Sequence, residues 1–120
     1  MQFSLSFFAL AAFAISGAAA FNNFAASCSS LRLSGADLVA TCKFNDGSTT
    51  VAAINLNGCY TNNNGQLTFQ KNPGNALQTC HTCSLSGTIL QCTCQRVSGA
   101  SGSEIDLNAN IGNEDGVLFC

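Results

Sequence analysis

Along most of the chain apolar side chains recur in short alternating runs, separated by clusters of Gly, Ser, Thr, Asn and Asp. Period-two alternation bounded by turn formers predicts half-buried β-strands, and no stretch sustains the 3.6-residue period of a helix. The expected class is all-β. The pattern is also duplicated: Ile54-Asn-Leu-Asn-Gly-Cys-Tyr-Thr-Asn-Asn-Asn-Gly-Gln-Leu67 returns as Ile105-Asp-Leu-Asn-Ala-Asn-Ile-Gly-Asn-Glu-Asp-Gly-Val-Leu118, with six of fourteen positions identical. Each copy is predicted as a strand, a tight polar corner and a second strand, because Asn64-Gly65 and Asp115-Gly116 supply the positive φ that such a corner needs.

An earlier stretch repeats as well. Cys28 through Cys42 aligns with Cys80 through Cys94 at an offset of 52, and the Ile54 and Ile105 stretches align at 51, so one residue is lost between Cys94 and Ile105. Two copies fall short of the roughly three that a solenoid needs, which leaves one pseudo-two-fold domain over residues 21–120: repeat one 21–70, a hinge 71–75, and repeat two 76–120. Each copy begins with two apolar runs hinged on Ser34-Gly35 or Ser86-Gly87. This predicts a hairpin centred on the glycine, with Cys28 opposite Cys42 and Cys80 opposite Cys94. The stretches 43–48 and 95–103 read as polar turns leading into the Ile strands. The hinge holds the only proline, Pro73. It suits a simple turn or a link through which halves exchange between molecules, so monomer and domain-swapped dimer both remain open.

The duplication also sorts the eight cysteines. Cys28–Cys42 and Cys80–Cys94 are the repeated pairs, each closing a loop of about fifteen residues for about 3 kcal/mol by chain entropy. Cys83 and Cys92 flank Gly87 at nearly equal distances and pair across the same hairpin; elimination leaves Cys59–Cys120. The spacing of Cys80, Cys83, Cys92 and Cys94 around His81 also imitates a zinc cluster, but zinc needs free thiolates and a secreted chain oxidises them. No metal or cofactor is expected.

The first twenty residues, an apolar run ending in Ala18-Ala19-Ala20, read as a secretory signal peptide, because the run is shorter than the roughly 18 residues of a membrane span. A secreted, extracellular chain is the expectation, and it agrees with the cysteine density. All four Lys/Arg and six Asp/Glu lie after Ala20, giving a net charge of −2. No basic patch for nucleic acid and no segment for membrane insertion is available. The single histidine, His81, sits between two half-cystines, and no Ser-His-Asp set, acid–base carboxylate pair or phosphate loop is present. The chain reads as a binding protein and not an enzyme.

At this level of detail the residues resemble a known family. Two fifty-residue copies, each with Cys, Leu-x-Gly, Cys after fourteen residues, then Ile-Asn/Asp-Leu-Asn and an Asn/Asp-Gly corner, look like the cyanovirin-N homologue lectins, in particular secreted members from filamentous fungi. The resemblance spans Phe24 to Cys120. It implies an elongated fold of two pseudo-symmetric halves, each a three-stranded sheet with a hairpin packed on it and strands exchanged between repeats. It also implies mannose-type glycan binding at one site per half, with oligosaccharides or glycoproteins as partners. Carried over by position, one site uses Thr61, Asn62, Asn63 and Asn64, then Gly74, Asn75, Gln78 and Thr79, and Gln95, Arg96 and Val97. The other uses Asn23, Ala26 and Ser27, Lys43 and Asn45, and Asn113, Glu114 and Asp115. The chain departs from the family where Val97 replaces a basic residue, Thr61 an acid and Ala26 a polar side chain. The alternative function is a disulfide-stapled β scaffold that has lost sugar binding and acts through protein contacts as an effector or cell-surface protein.

Overall fold

The structure is a computed structural model that describes residues 22–71 and 74–120. The expected signal peptide and the Asn72-Pro73 part of the hinge lie outside the described residues. Ten strands follow in order: β1 Cys28–Ser34, β2 Asp37–Lys43, β3 Thr49–Asn55, β4 Tyr60–Asn63, β5 Gln66–Phe69, β6 Cys80–Ser86, β7 Ile89–Arg96, β8 Gly99–Asp106, β9 Gly112–Glu114 and β10 Val117–Phe119. They make two three-stranded antiparallel sheets, β1-β2-β3 and β6-β7-β8, and two hairpins, β4-β5 and β9-β10. The remaining regular elements among the described residues are four single 3-10 turns.

The hairpins change partners. The β4-β5 hairpin of the first copy packs on β7 and β8 of the second, and β10 of the second copy packs on β3 of the first. Each half of the molecule is thus built from both copies, and the whole measures 58 × 26 × 24 Å. One continuous core runs through it. Phe24, Leu38, Leu56, Tyr60, Leu90, Leu107 and Ile111 are fully buried, and among the described residues no charged or polar residue is buried with them.

The repeated motif explains much of the scaffold. Leu56 and Leu107 are wholly buried, and Leu67 and Leu118 nearly so. Asn57 Oδ1 accepts from the Leu77 N–H at 2.7 Å, and its pseudo-equivalent Asn108 accepts from the Ala25 N–H at 3.0 Å. Each therefore anchors a 3-10 turn that its own copy does not contain. Asn55 and Asp106 in turn cap the turns carrying those asparagines, accepting from Asn57 and Asn108 N–H at 2.9 Å.

Four disulfides close: Cys28–Cys42, Cys80–Cys94, Cys83–Cys92 and Cys59–Cys120. These are the pairs that the repeat alignment selects. The four cysteines whose spacing imitates a zinc cluster are all consumed in them.

Two local readings change. The first hairpins are not symmetric about Gly35 and Gly87: the register slips by one residue between Ser29 and Arg32 and again between His81 and Ser84. A bulge, with Ser30 and Thr82 at φ 53° and 54°, absorbs the extra residue and leaves two-residue turns at the tips. The Gly/Ser run 95–103 is also not one turn. Gly99 to Ser103 extend β8 in continuous register with β7, so only Val97 and Ser98 are left as the connection. The one-residue deletion relative to the first copy falls in this shortened loop.

Candidate functional site

Each half carries a corner that is clipped to the other copy by an asparagine. In the first corner Asn62 Nδ2 donates to Thr79 Oγ1 at 2.9 Å and to the Gln95 carbonyl at 2.8 Å, while its Oδ1 accepts from Gly65 N–H at 2.7 Å. In the second, Asn113 Nδ2 donates to Ser27 Oγ at 2.8 Å and to the Lys43 carbonyl at 3.0 Å, and its Oδ1 accepts from Gly116 N–H at 2.9 Å. An amide has two donors, and both are spent in each case. Asn62 and Asn113 therefore hold the corner in place, and their nitrogens have no N–H left to offer a ligand.

A second clip sits at the tip. Asn64, at φ 49°, accepts from the Val97 N–H at 2.8 Å, and Asp115, at φ 50°, accepts from the Asn45 N–H at 2.8 Å. The glycine that follows each is required twice over. Gly65 and Gly116 have φ of 93° and 84°, and a Cβ there would lie 2.6 Å from Ser101 Oγ or 2.8 Å from Phe44 Cε1. Ser103 Oγ accepts from Leu67 N–H at 2.9 Å and Ser101 Oγ donates to the Gly65 carbonyl at 3.0 Å, fastening the first hairpin to β8.

The hinge side joins the first corner through an antiparallel bridge between Thr61 and Asn75. Asn75 is left-handed at φ 56°, and the N–H groups of Gly74 and Asn75 both donate to the Asn57 carbonyl, at 3.0 and 2.7 Å. Gly74 is buried against the Tyr60 carbonyl, where no Cβ fits. The pseudo-equivalent of Asn75 is Asn23, at φ 66°, whose N–H donates to the Asn108 carbonyl at 2.7 Å and whose Oδ1 accepts from Asn108 Nδ2 at 3.1 Å.

The structure thus brings the expected residues into two clusters, one on each half. Around the first corner the exposed side chains of Asn63, Asn75, Gln78 and Gln95 make no hydrogen bond among the described residues. Around the second the same holds for Lys43 and Glu114. Beside the second corner Ala26, Ser27, Lys43 and Thr49 line a cleft of about 200 Å³, which the small side chain of Ala26 helps to keep open. A larger cleft of about 360 Å³ lies elsewhere, between the β1-β2 tip and the start of β6, along Leu33, Gly35, Leu77 and His81. Volume favours that cleft; recognition chemistry favours the corners, where several uncommitted donors and acceptors surround a backbone held by the asparagine clips.

Sequence reasoning missed Phe44, Ser101 and Ser103. The first had a signal: at the offset of 52, Phe44 falls on Arg96, one of the residues carried over to the first site. Arg96 lays its stem over Gly65, with Cβ and Cδ 3.2 and 3.3 Å from where a Cβ would stand, as Phe44 lays its ring over Gly116.

A family model, the CVNH domain, matches residues 24–119. Among solved structures, a microvirin:mannobiose complex shares 30% identity with this chain over 82% of it and 97% of the other, with a TM-score of 0.67. TbCVNH of T. borchii shares 28% identity over 81% and 97%, with a TM-score of 0.65. A MoCVNH3 variant in complex with (N-GlcNAc)4 shares 22% identity over 86% and 99%, with a TM-score of 0.77, a likeness of fold.

Proposed function

The chain belongs to the CVNH family, and on that premise we propose that it is a secreted lectin that binds mannose-containing or related glycans, one at each corner. The observation that carries the reading is the pair of clipped corners. In each, the backbone is fixed by Asn62 or Asn113 while neighbouring polar side chains point no hydrogen bond back into the protein. Adjacent sugar hydroxyls are paired donors and acceptors, and a rigid set of amides and carboxylates matches them without paying to order itself on binding. The mannobiose bound in the structure of microvirin supports the choice of sugar.

Single contacts of this kind are weak, and two sites on one elongated body raise apparent affinity for a branched or multivalent glycan through effective concentration. Recognition of this kind does not call for catalysis. Secretion fits four disulfides in so short a chain. A glycan array probed with the oxidised protein, residues 21–120, tests the proposal. Signal on oligomannose glycans is expected. No signal above background for folded protein, together with capture of a protein partner that survives glycan removal, would replace this reading with the effector scaffold.

A further inference from the structure

The two clips are spatially alike but leave opposite chemistry exposed. At the first tip Asn64 spends its Oδ1 on the Val97 N–H, which leaves the amide's Nδ2 donors. At the second, Asp115 spends one carboxylate oxygen on the Asn45 N–H, which leaves an acceptor and a negative charge. The rim residue differs in the same sense. Arg96 lies over Gly65, and its guanidinium makes no hydrogen bond or ion pair among the described residues. Its pseudo-equivalent over Gly116 is Phe44, whose ring is 37% exposed.

The charges nearby reinforce the difference. Among the described residues grouped at the first corner, Arg96 is the charged one; those grouped at the second include Glu114, Asp115 and Lys43, with Asp46 next to Asn45 in the chain. Asp46 is hydrogen-bonded by the Ser48 hydroxyl at 2.6 Å, which holds its carboxyl below the usual range and keeps it ionised.

We propose that the two corners are sorted by charge: the Asn62–Asn64 corner takes glycans bearing an anionic substituent, read by Arg96, and the Asn113–Asp115 corner takes neutral sugars, packing an apolar ring face on Phe44. The inference rests on the reading of both corners as glycan sites. Guanidinium groups pair with phosphate through two parallel, charge-assisted bonds, and the stem packed on Gly65 limits the freedom lost in forming them. At the other corner two carboxylates repel the same substituent, while an aromatic face suits the C–H face of a pyranose.

The test compares mannobiose with mannobiose carrying a phosphate monoester on its terminal sugar, followed by amide NMR so that each corner reports separately. The phosphorylated sugar is expected to shift the amides of Asn62 to Gly65 and of Val97 and to leave Asn113 to Gly116 unmoved. Arg96→Gln should weaken its binding roughly tenfold, equivalent to about 1.4 kcal/mol, Arg96→Lys should recover part of the loss, and added salt should weaken it further. Equal shifts at both corners, or an Arg96→Gln protein that binds the phosphorylated sugar as the parent does, would overturn the sorting. If plain mannobiose still binds in that case, the lectin reading stands and this inference alone fails; if neither sugar moves either corner, both fail.

Discussion

Replacing Asn62 by Ala removes a side chain that the resemblance places at the sugar and that, in the structure, fastens the corner to the other copy. Three hydrogen bonds are lost, to Thr79 Oγ1, the Gln95 carbonyl and the Gly65 N–H. Each contributes about 0.5–1.5 kcal/mol net. The site is half-buried, so water recovers part of the loss, and a total of about 2 kcal/mol is the expected cost. For a domain of this size each kcal/mol lowers the melting temperature by roughly 4–8 °C, which puts the midpoint roughly 10 °C lower. Asn63→Ala, one residue along, removes an exposed side chain with no partner and should stay within about 0.5 kcal/mol. Urea and thermal unfolding of both variants under non-reducing conditions measure the difference, with glycan binding read on the same samples. Asn62→Ala should weaken binding at its own corner together with stability, whereas Asn63→Ala should weaken binding alone. An Asn62→Ala protein as stable as the parent, or an Asn63→Ala protein equally destabilised, would refute the division between fastener and contact.

Three further outcomes are expected. Tyr60 is fully buried, its hydroxyl donates to Asn110 Oδ1 at 3.2 Å, and burial, with Asp106 adding to it, pushes its ionisation well above the ordinary tyrosine range. The stability it contributes is intact below the unfolded value of about 10 and is lost as pH rises toward the folded one; as the only tyrosine, with no tryptophan present, it should ionise in ultraviolet absorbance together with unfolding, and smooth ionisation near pH 10 in a folded chain would contradict this. Gly74→Ala drives a Cβ into the Tyr60 carbonyl and should cost about 3 kcal/mol, against less than about 0.5 for Gly58→Ala, where nothing lies within 4 Å; chemical denaturation of both checks it. Cys59–Cys120 spans 61 positions and Cys83–Cys92 only 9, so chain entropy assigns about 4 kcal/mol to the first and about 3 to the second; the two double Cys→Ala variants should melt in that order, and a dimer exchanged at the hinge should carry Cys59–Cys120 between chains and survive a non-reducing denaturing gel.

The duplication made much of the fold legible. Comparing the copies with each other aligned the half-cystines, located both first-hairpin tips and placed Asn64-Gly65 and Asp115-Gly116 at corners with positive φ. Other features follow from contacts between the copies, which periodicity does not encode. Alternation shows that Leu67 and Leu118 face a core, but the core each faces belongs to the other copy's sheet, and only the resemblance implied the exchange. The bulges at Ser30 and Thr82 were hidden because a symmetric hairpin about glycine explains the same cysteine spacing. The resemblance places Asn62 and Asn113 at the sugar sites, and their clipping of each corner to the other copy adds a structural role that asparagine suits equally well. Their identity in the two copies was the available signal: positions the copies share hold the scaffold, and positions where they differ, Asn63 against Glu114, Asn64 against Asp115 and Arg96 against Phe44, line the corners.

The most direct test of carbohydrate recognition at the corners is an amide NMR titration of the oxidised protein with mannobiose. Shifts confined to the two corners and their clipped neighbours, larger at Asn113 to Gly116 with Asn45 and smaller at Asn62 to Gly65 with Val97 because mannobiose carries no charge for Arg96 to read, are the predicted result. An unchanged spectrum, or shifts gathered instead around Leu33, Leu77 and His81, would contradict it.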